Sequence, residues 1–246
     1  MLSGLELAIA LVTVMVGATV IGTVGFGMAL VVAPILLLFM EPKSVVVIVN
    51  TLIAITMIFL LAQTRRYLDL RLVLGMTLGG VLAVPVGVLA LSSANPTTLR
   101  ITIALVILCV AMLNLFNIEL PLTRRRFAGP AFGFLTSLST TTLSIGGPVA
   151  AIYVMAQKWP RHVIRASLAF YFLAADLVAL ALYTWAGLVR WDTIANIGIL
   201  VPGLVLGFGL ATLLVRQMDE KLFRYAATGV IIVSSLVILG REVVRL

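Results

Sequence analysis

The chain has 246 residues, of which 62% are hydrophobic and only 11% are charged, and its mean hydropathy is +1.23. Soluble domains carry roughly 25% charged residues, so this composition excludes a sizeable soluble domain and indicates an integral membrane protein. The net charge of +8 comes from Lys and Arg residues in short loops between apolar runs. That placement is typical of membrane orientation and argues against nucleic-acid binding.

Eight apolar runs follow one another along the chain, and most are close to the ~20 residues that span a bilayer. Two of them are too long for a single straight helix. At 1.5 Å per residue, the first and fifth runs would measure about 54 and about 45 Å, whereas the hydrocarbon core is about 30 Å thick. Because both contain glycine and proline, we expect both to break. The runs are 5–40, 44–63, 72–91, 98–117, 127–156, 163–188, 193–215 and 222–240.

The two expected breaks resemble each other. The first reads GTVGFGMALVVAP from Gly22 to Pro34, and the second reads TTTLSIGGPVAA from Thr140 to Ala151. A broken helix leaves backbone groups free at membrane depth, so these groups must be buried in protein or face a ligand. Paired broken helices in two halves of a chain therefore point to the substrate site of a transporter.

The similarity between the halves extends beyond the breaks and predicts an internal repeat. We predict a first membrane repeat over 1–117, a cytoplasmic linker over 118–126 that includes three consecutive arginines, and a second membrane repeat over 127–246. The matched positions are Pro34 with Pro148, Leu68-Asp69 with Trp191-Asp192, and Leu99-Arg100 with Phe223-Arg224.

Lys and Arg residues distinguish two topologies. If each long run crosses the membrane once, the two sides hold nine and eight basic residues, which gives no orientation. If each long run is a hairpin that returns to its own side, twelve basic residues face five. The positive-inside rule favours the hairpins, with the twelve in the cytoplasm and both termini outside. The sequence thus predicts an all-α polytopic membrane protein of two inverted repeats, each with a Gly/Pro-broken hairpin segment followed by three transmembrane helices.

Neutral donors at the breaks form the predicted substrate site. Glycines permit positive φ and close backbone approach, and the N-terminus of each following half-helix is suited to an anion. The alternatives are tight helix packing through the glycines and hydroxyl groups that bond back to helix carbonyls. The predicted binding residues at the breaks are Gly25, Gly27, Ser139, Thr141, Thr142, Gly146 and Gly147.

Three further residues are candidates because they place polar groups within or beside apolar runs. Asp176 is the only carboxylate deep in such a run, which favours proton coupling. The alternative is a packing hydrogen bond to a neighbouring Tyr, Ser or Thr, such as Tyr171 or Tyr183. Arg165 is predicted to guide an anion, or else to anchor its helix at the interface. Asn50 is a weaker candidate for a substrate contact.

No enzyme constellation is present in the sequence. It contains no GxSxG or HExxH motif, no cysteine pair and no clustered His, Asp and Glu residues, so we predict no catalytic residue, no metal and no cofactor.

In both halves, the chain resembles the TauE/SafE family of sulfite exporters over nearly its whole length. In the first half the similar residues are Val32–Leu36, Pro42-Lys43, Val49-Asn50, Arg65-Arg66 and Asp69. In the second half they are Gly146-Gly147-Pro148-Val149, Arg165-Ala166, Phe172, Tyr183 and Ala186-Gly187.

The resemblance implies a secondary transporter of small anions in the bacterial inner membrane, typically for sulfite, sulfonates or related sulfur compounds and organic acids. The chain departs from many members at Asp176, where they carry a neutral residue; an ionised carboxylate there would repel an anion. The expected partners are a small anionic substrate and the lipid bilayer, with no nucleic acid. Two alternatives stay open: a non-transporting membrane accessory subunit, and a transporter of an unrelated organic acid. The sequence also leaves open whether the apolar faces meet lipid or a second copy.

Overall fold

The computed structural model describes residues 4–116 and 127–214. Every regular element in these two ranges is helical, as the sequence predicts. The predicted linker at 118–126 and the last predicted crossing at 222–240 lie outside the described residues. The elements are α1 (Gly4–Val24), α2 (Met28–Leu36), α3 (Pro42–Thr64) with a 3-10 turn (Arg65–Tyr67), α4 (Leu70–Ser93), α5 (Pro96–Phe116), α6 (Ala128–Leu143), α7 (Gly147–Ala156), α8 (Arg161–Trp185) and α9 (Trp191–Leu214).

Five of these helices, α1, α3, α4, α8 and α9, are long and apolar enough to cross a membrane. Their outward surfaces suit lipid, since large apolar side chains such as Leu82 and Leu213 are 73% and 72% exposed. Trp185 and Trp191 are also exposed and flank the turn between α8 and α9, where interfacial tryptophans are favoured. The chain is therefore a multi-pass membrane protein.

Both long apolar runs break close to the predicted positions. The first run separates into α1 and the nine-residue α2, and the second into α6 and the ten-residue α7. At 1.5 Å per residue, α2 and α7 measure about 13 and about 15 Å, so neither spans the core alone. A Cβ atom on Gly17 of α1 would meet Val32 and Met28 of α2, so α2 runs back along α1.

Close glycine contacts join α1 to α9 and α4 to α6. Gly203 and Gly207 of α9 lie against the carbonyl oxygens of Leu11 and Met15 in α1. Since both positions advance together along the two helices, α1 and α9 are parallel. Helices α4 and α6 are parallel by the same criterion, because Gly133 lies against Met76 and Ser137 lies against Gly80. Small residues let membrane helices approach this closely.

Helices α3 and α8 form the centre of the bundle and run antiparallel. Asn50 near the start of α3 bonds to Tyr183 near the end of α8, and Tyr67 after α3 packs on His162 at the start of α8. The loops consequently fall at two ends. The Glu41 end contains residues 37–41, 94–95 and 186–190, and the Arg65 end contains residues 65–69 and 157–160.

Candidate functional site

The first break depends on two glycines with positive φ. Gly25 has φ +95° and donates its N–H to the carbonyl oxygen of Ile21 at 2.8 Å, which ends α1. Gly27 has φ +101° and precedes the first residue of α2. Side-chain-bearing residues rarely adopt this conformation. The two glycines therefore reverse the chain within three residues and leave the N-terminus of α2 inside the bundle.

The second break depends on a serine in the left-handed region. Ser144 has φ +63° and its N–H donates to the carbonyl oxygen of Thr140 at 2.8 Å, which closes the last turn of α6. Its Oγ donates to the carbonyl oxygen of Val46 in α3 at 3.2 Å. Helix α7 then begins at Gly147, with Pro148 in its first turn as predicted, because that turn needs no proline N–H.

The tips of the two hairpins meet. A Cβ atom on Gly147 would stand 3.2 Å from Cβ of Phe26 and 3.3 Å from the backbone nitrogen of Gly27. Between the tips lies a cavity of about 20 Å³. It lies halfway along the two central helices, since it is lined by the midpoint residues of α3 and α8. The lining residues are Ile21, Phe26, Gly27, Ala29, Leu30, Ile53, Thr140, Ser144, Ile145, Gly146, Gly147, Pro148 and Phe172.

Most of the lining side chains are apolar, and the polar part comes from glycine backbone and two hydroxyl groups, Thr140 and Ser144. The first amides of a helix lack partners within that helix, and two such helix starts, of α2 and α7, border the cavity. Its volume suffices for about one water molecule. This state of the site is therefore closed to any larger solute.

Three of the predicted binding residues, Gly27, Gly146 and Gly147, line this cavity. The predicted hydroxyls Ser139, Thr141 and Thr142 are not among its lining residues. Thr141 Oγ1 donates to the carbonyl oxygen of Ser137 at 2.7 Å within α6, and Thr142 Oγ1 donates to that of Gly87 in α4 at 3.3 Å.

The hydroxyls that do face the cavity are Thr140 and Ser144, which are four residues apart and so share one helical face. Six hydroxyl residues precede the glycine pair in the sequence, and the four-residue spacing was the signal that could have selected these two. The six are Ser137, Ser139, Thr140, Thr141, Thr142 and Ser144. Thr140 Oγ1 donates its proton to the carbonyl oxygen of Thr136 at 2.8 Å, as Ser144 Oγ does to that of Val46. Either hydroxyl must turn before it can donate to a ligand.

Asn50 stands one layer behind the cavity and supports the second break. Its Nδ2 donates to the carbonyl oxygen of Thr140 at 3.0 Å and to the hydroxyl of Tyr183 at 2.9 Å. That hydroxyl in turn donates to the carbonyl oxygen of Thr141 at 2.6 Å. Asn50 and Tyr183 are fully buried. Together they satisfy carbonyl groups in the last turn of α6, which has no continuing helix to bond them.

Arg165 supports the first break in a similar way. Its Nη2 donates to the carbonyl oxygen of Gly22 in the last turn of α1 at 2.7 Å, and Gly25 packs against its Cα. The side chain is half-buried and does not line the cavity. A guanidinium group at a helix C-terminus is favoured by the helix dipole as well as by the hydrogen bond.

Asp176 lies in the middle of α8, one turn beyond the cavity residue Phe172. The residue is fully buried, and neither carboxylate oxygen has a hydrogen-bond partner within 4–116 and 127–214. The Tyr171 hydroxyl bonds to the Ser137 hydroxyl and to the carbonyl oxygen of Gly133, both in α6. The Tyr183 hydroxyl bonds to Asn50 and to the carbonyl oxygen of Thr141. The packing hydrogen bond considered as an alternative is therefore not formed with either tyrosine.

Among the described residues, no group of three or more His, Cys, Asp or Glu side chains is placed to hold a metal ion. No curated protein and no solved structure matches the chain. The family model described as "Sulfite exporter TauE/SafE" matches residues 9–238, which confirms the resemblance seen in the sequence. The chain belongs to the TauE/SafE sulfite exporter family, a family of membrane transporters for sulfur anions.

Proposed function

We propose that this protein is a secondary transporter that exports small anions, with sulfite, organosulfonates and related sulfur oxyanions as the favoured substrates. The observation that carries this proposal is the meeting of two half-helix N-termini and two hydroxyl groups at one cavity, halfway along the bundle. Family membership supplies the substrate class. The proposed location is the bacterial inner membrane.

Backbone amides are the proposed anion ligands. The starts of α2 and α7 direct partial positive charge toward the cavity, and Gly27, Gly146 and Gly147 permit close approach because they carry no side chain. Thr140 and Ser144 add hydroxyl groups, which donate to the carbonyl oxygens of Thr136 and Val46 in this structure and would turn toward an anion when it binds. These donors are all neutral, so an anion is held without forming an ion pair and can leave when the site opens. Thr142 would serve this site indirectly, because its bond to the Gly87 carbonyl oxygen holds α6 against α4.

Two inverted repeats, 1–117 and 127–246, are the proposed basis of alternating access. The helix pairs support this relation. By position in the two repeats, α6 corresponds to α1 and α9 to α4. Helix α1 packs along α9, and α6 packs along α4 in the same way. Each break is also bonded by a polar side chain from the other repeat. Asn50 from the first repeat bonds to the second break, and Arg165 from the second repeat bonds to the first break. Movement of one repeat against the other would then open the closed cavity to one side at a time.

The proposed orientation places the Arg65 end in the cytoplasm and both termini outside. Nine described cations support it. Six lie at or near the Arg65 end and three at the Glu41 end. Lys and Arg residues in short loops favour the cytoplasmic side of a membrane. The six are Arg65, Arg66, Arg71, Lys158, Arg161 and Arg165, and the three are Lys43, Arg100 and Arg190.

Asp176 is proposed as the proton-coupling residue. A carboxylate buried in apolar surroundings without a partner is costly when ionised, and an intramembrane acid is by default a functional candidate. Movement of the repeats would alternately expose and bury it. In proteoliposomes, Asp176→Asn should remove the dependence of anion flux on the pH gradient. Flux that keeps the wild-type pH dependence in Asp176→Asn would exclude this role.

The transport proposal is tested on purified protein in proteoliposomes. Currents on a solid-supported membrane would be recorded for sulfite, thiosulfate, sulfoacetate, sulfate and acetate, alongside exchange of the radiolabelled anions to detect electroneutral transport. We expect saturable flux for at least one sulfur anion. Absence of both current and exchange across the panel would contradict transport and favour an accessory subunit. Preference for acetate would instead favour an unrelated organic acid as substrate.

The hydroxyl groups of the site are tested by Thr140→Val combined with Ser144→Gly, since glycine tolerates the positive φ at position 144. We expect the half-saturation concentration of the transported anion to rise about tenfold or more, which corresponds to ~1.4 kcal/mol of binding free energy. Thr56→Val is the matched control, because Thr56 is equally buried and bonds back to its own helix at 2.8 Å but lies off the cavity. If the double variant and the Thr56→Val control have the same half-saturation concentration, the two hydroxyls do not belong to the binding site.

A further inference from the structure

Arg165 differs from the other basic residues at the Arg65 end, because it is half-buried while the others are exposed. Its Nη2 donates to the carbonyl oxygen of Gly22 at 2.7 Å. Its Nε is buried and has no hydrogen-bond partner in the described part of the chain. An unpartnered buried donor is unfavourable, and more so on a charged group, so a bound acceptor would stabilise it. The exposed residues are Arg65, Arg66, Arg71, Lys158 and Arg161.

The tip of the first hairpin stands between Arg165 and the cavity at the hairpin tips. Gly25 packs against the Cα atom of Arg165, and the next residue, Phe26, lines the cavity. Phe172 also lines the cavity. It lies on the same face of α8 as Arg165, about two helical turns further from the Arg65 end. The last turn of α1 and the Arg165 side chain therefore cover the cavity on the side of the Arg65 end.

Two different contacts hold the last turn of α1 in this position. On the α9 side, Gly22 packs closely against apolar side chains, since a Cβ atom there would stand 2.6 Å from Cβ of Ala211 and 3.2 Å from the ring of Phe208. On the α8 side, the contact is the hydrogen bond from Arg165 to the Gly22 carbonyl oxygen. A guanidinium group binds an oxyanion more strongly than it binds a neutral carbonyl oxygen. An anion can therefore compete for the α8 contact, whereas it has no donor to bind on the α9 side.

We propose that Arg165 is a transient entry site for the anion at the Arg65 end, and that anion binding there releases the last turn of α1. Nε and Nη2 lie side by side on the guanidinium group, so two oxygens of one oxyanion can bind them together. The anion takes the place of the Gly22 carbonyl oxygen on Nη2 and accepts the unpartnered Nε–H. The freed turn then uncovers the cavity from this end alone. This inference rests on the proposed transport function and adds a one-sided step to it.

Uptake of radiolabelled sulfite and thiosulfate into membrane vesicles of known orientation tests the one-sided step. Inside-out vesicles present the proposed cytoplasmic side to the added anion, and right-side-out vesicles present the other side. In inside-out vesicles, Arg165→Gln should raise the half-saturation concentration about tenfold or more, because the charged pair of donors is lost. In right-side-out vesicles the half-saturation concentration should be unchanged. Arg165→Lys keeps the charge without the paired donors, so it should give a smaller rise of about threefold.

Arg71→Gln is the control, because it removes an exposed arginine at the same end, and it should leave both half-saturation concentrations unchanged. An equal rise on the two sides in Arg165→Gln, or no rise on either, would overturn the entry site. A rise in Arg71→Gln equal to that in Arg165→Gln would reduce the effect to overall charge. Absence of wild-type flux in both kinds of vesicle would contradict the transport proposal instead, and the Arg165 contact would then be tested by labelling.

Cysteine labelling tests the release of α1 without any need for transport. Thr23→Cys stands beside Gly22, where the native hydroxyl bonds only within α1, and Cys109→Ser removes the native thiol. Inside-out vesicles are treated with a membrane-impermeant maleimide. Adding Arg165→Gln should speed labelling of Thr23→Cys at least about threefold, because the last turn of α1 loses its bond to α8. Labelling of Thr51→Cys on α3 should stay unchanged. Equal labelling of Thr23→Cys with and without Arg165→Gln, or a parallel rise at Thr51→Cys, would overturn the proposal.

Discussion

The two broken hairpins reach the same cavity by different chemical means. The first is built from backbone: Gly25 and Gly27 reverse the chain, and the tip residue Phe26 is apolar. The second is built from hydroxyls: Ser144 reverses the chain, and both cavity hydroxyls belong to this hairpin. The two hairpins therefore have a similar geometry but supply different chemical groups.

The side chains that bond to the two breaks, Asn50 and Arg165, also differ chemically. A neutral amide, Asn50, supports the hydroxyl-rich break and is fully buried, whereas a guanidinium group, Arg165, supports the glycine-rich break and is half-buried. A buried neutral donor avoids the cost of desolvating a charge. The support of the second break is therefore sealed inside the protein and that of the first is partly accessible, so the two breaks should respond differently to substitution of their supports.

Gly27→Val should have the largest effect. The residue has φ +101° and a Cβ atom there would stand 3.1 Å from Val20. A β-branched residue adds backbone strain of about 1–3 kcal/mol and overpacking of a similar size. We expect a marked loss of thermal stability in detergent. Gly198→Ala, a helical position with open space around it, is the control. Equal melting temperatures for the two variants would show that the first break does not need glycine.

Asn50→Leu should have the next largest effect, because it leaves the Thr140 carbonyl oxygen without this buried donor. The expected destabilisation is about 1–3 kcal/mol, measured as the shift in the thermal unfolding midpoint. Thr51→Val on the same helix is the control, since its hydroxyl bonds only within α3, to the carbonyl oxygen of Val47 at 2.7 Å. Stability equal to that control would mean that the second break does not rely on α3.

Arg165→Gln should have a smaller effect on stability than Asn50→Leu. Water at the half-buried position can replace part of the lost bond to the Gly22 carbonyl oxygen, so we expect about 1 kcal/mol. The measurement is again the unfolding midpoint, with Arg71→Gln, an exposed arginine at the same end, as the control. A loss greater than that of Asn50→Leu would reverse the comparison between the two breaks.

Much of the fold was predictable from the sequence because bilayer thickness limits helix length. The 5–40 and 127–156 runs exceed one span, and glycine and proline located their breaks to within a few residues. The pairing of α1 with α9 and of α4 with α6 was not predictable, because apolar membrane helices carry no surface pattern that names a partner. Only the glycine contacts of the folded chain reveal it.

The site was predictable at its glycines and less so at its side chains. Gly27 stands at its tip because its positive φ turns the chain, whereas Gly146 and Gly147 stand where other parts of the chain approach closely. Which hydroxyls face the cavity depends on the rotation of α6, which its packing against α4 sets and no local motif records. Tyr183 was expected to bond to Asp176, whereas it bonds to Asn50 and the Thr141 carbonyl oxygen. That contact joins residues far apart in the chain.

The central claim is that the anion binds where the hairpin tips meet, and Gly147→Ala tests it most directly. Gly147 has an ordinary negative φ, so alanine adds only a methyl group, 3.2 Å from Phe26 Cβ, in the cavity. Counterflow of radiolabelled sulfite and thiosulfate into proteoliposomes would be compared for wild type, Gly147→Ala and Gly198→Ala. The account predicts at least tenfold weaker counterflow for Gly147→Ala and wild-type counterflow for Gly198→Ala. Wild-type counterflow in Gly147→Ala would contradict it.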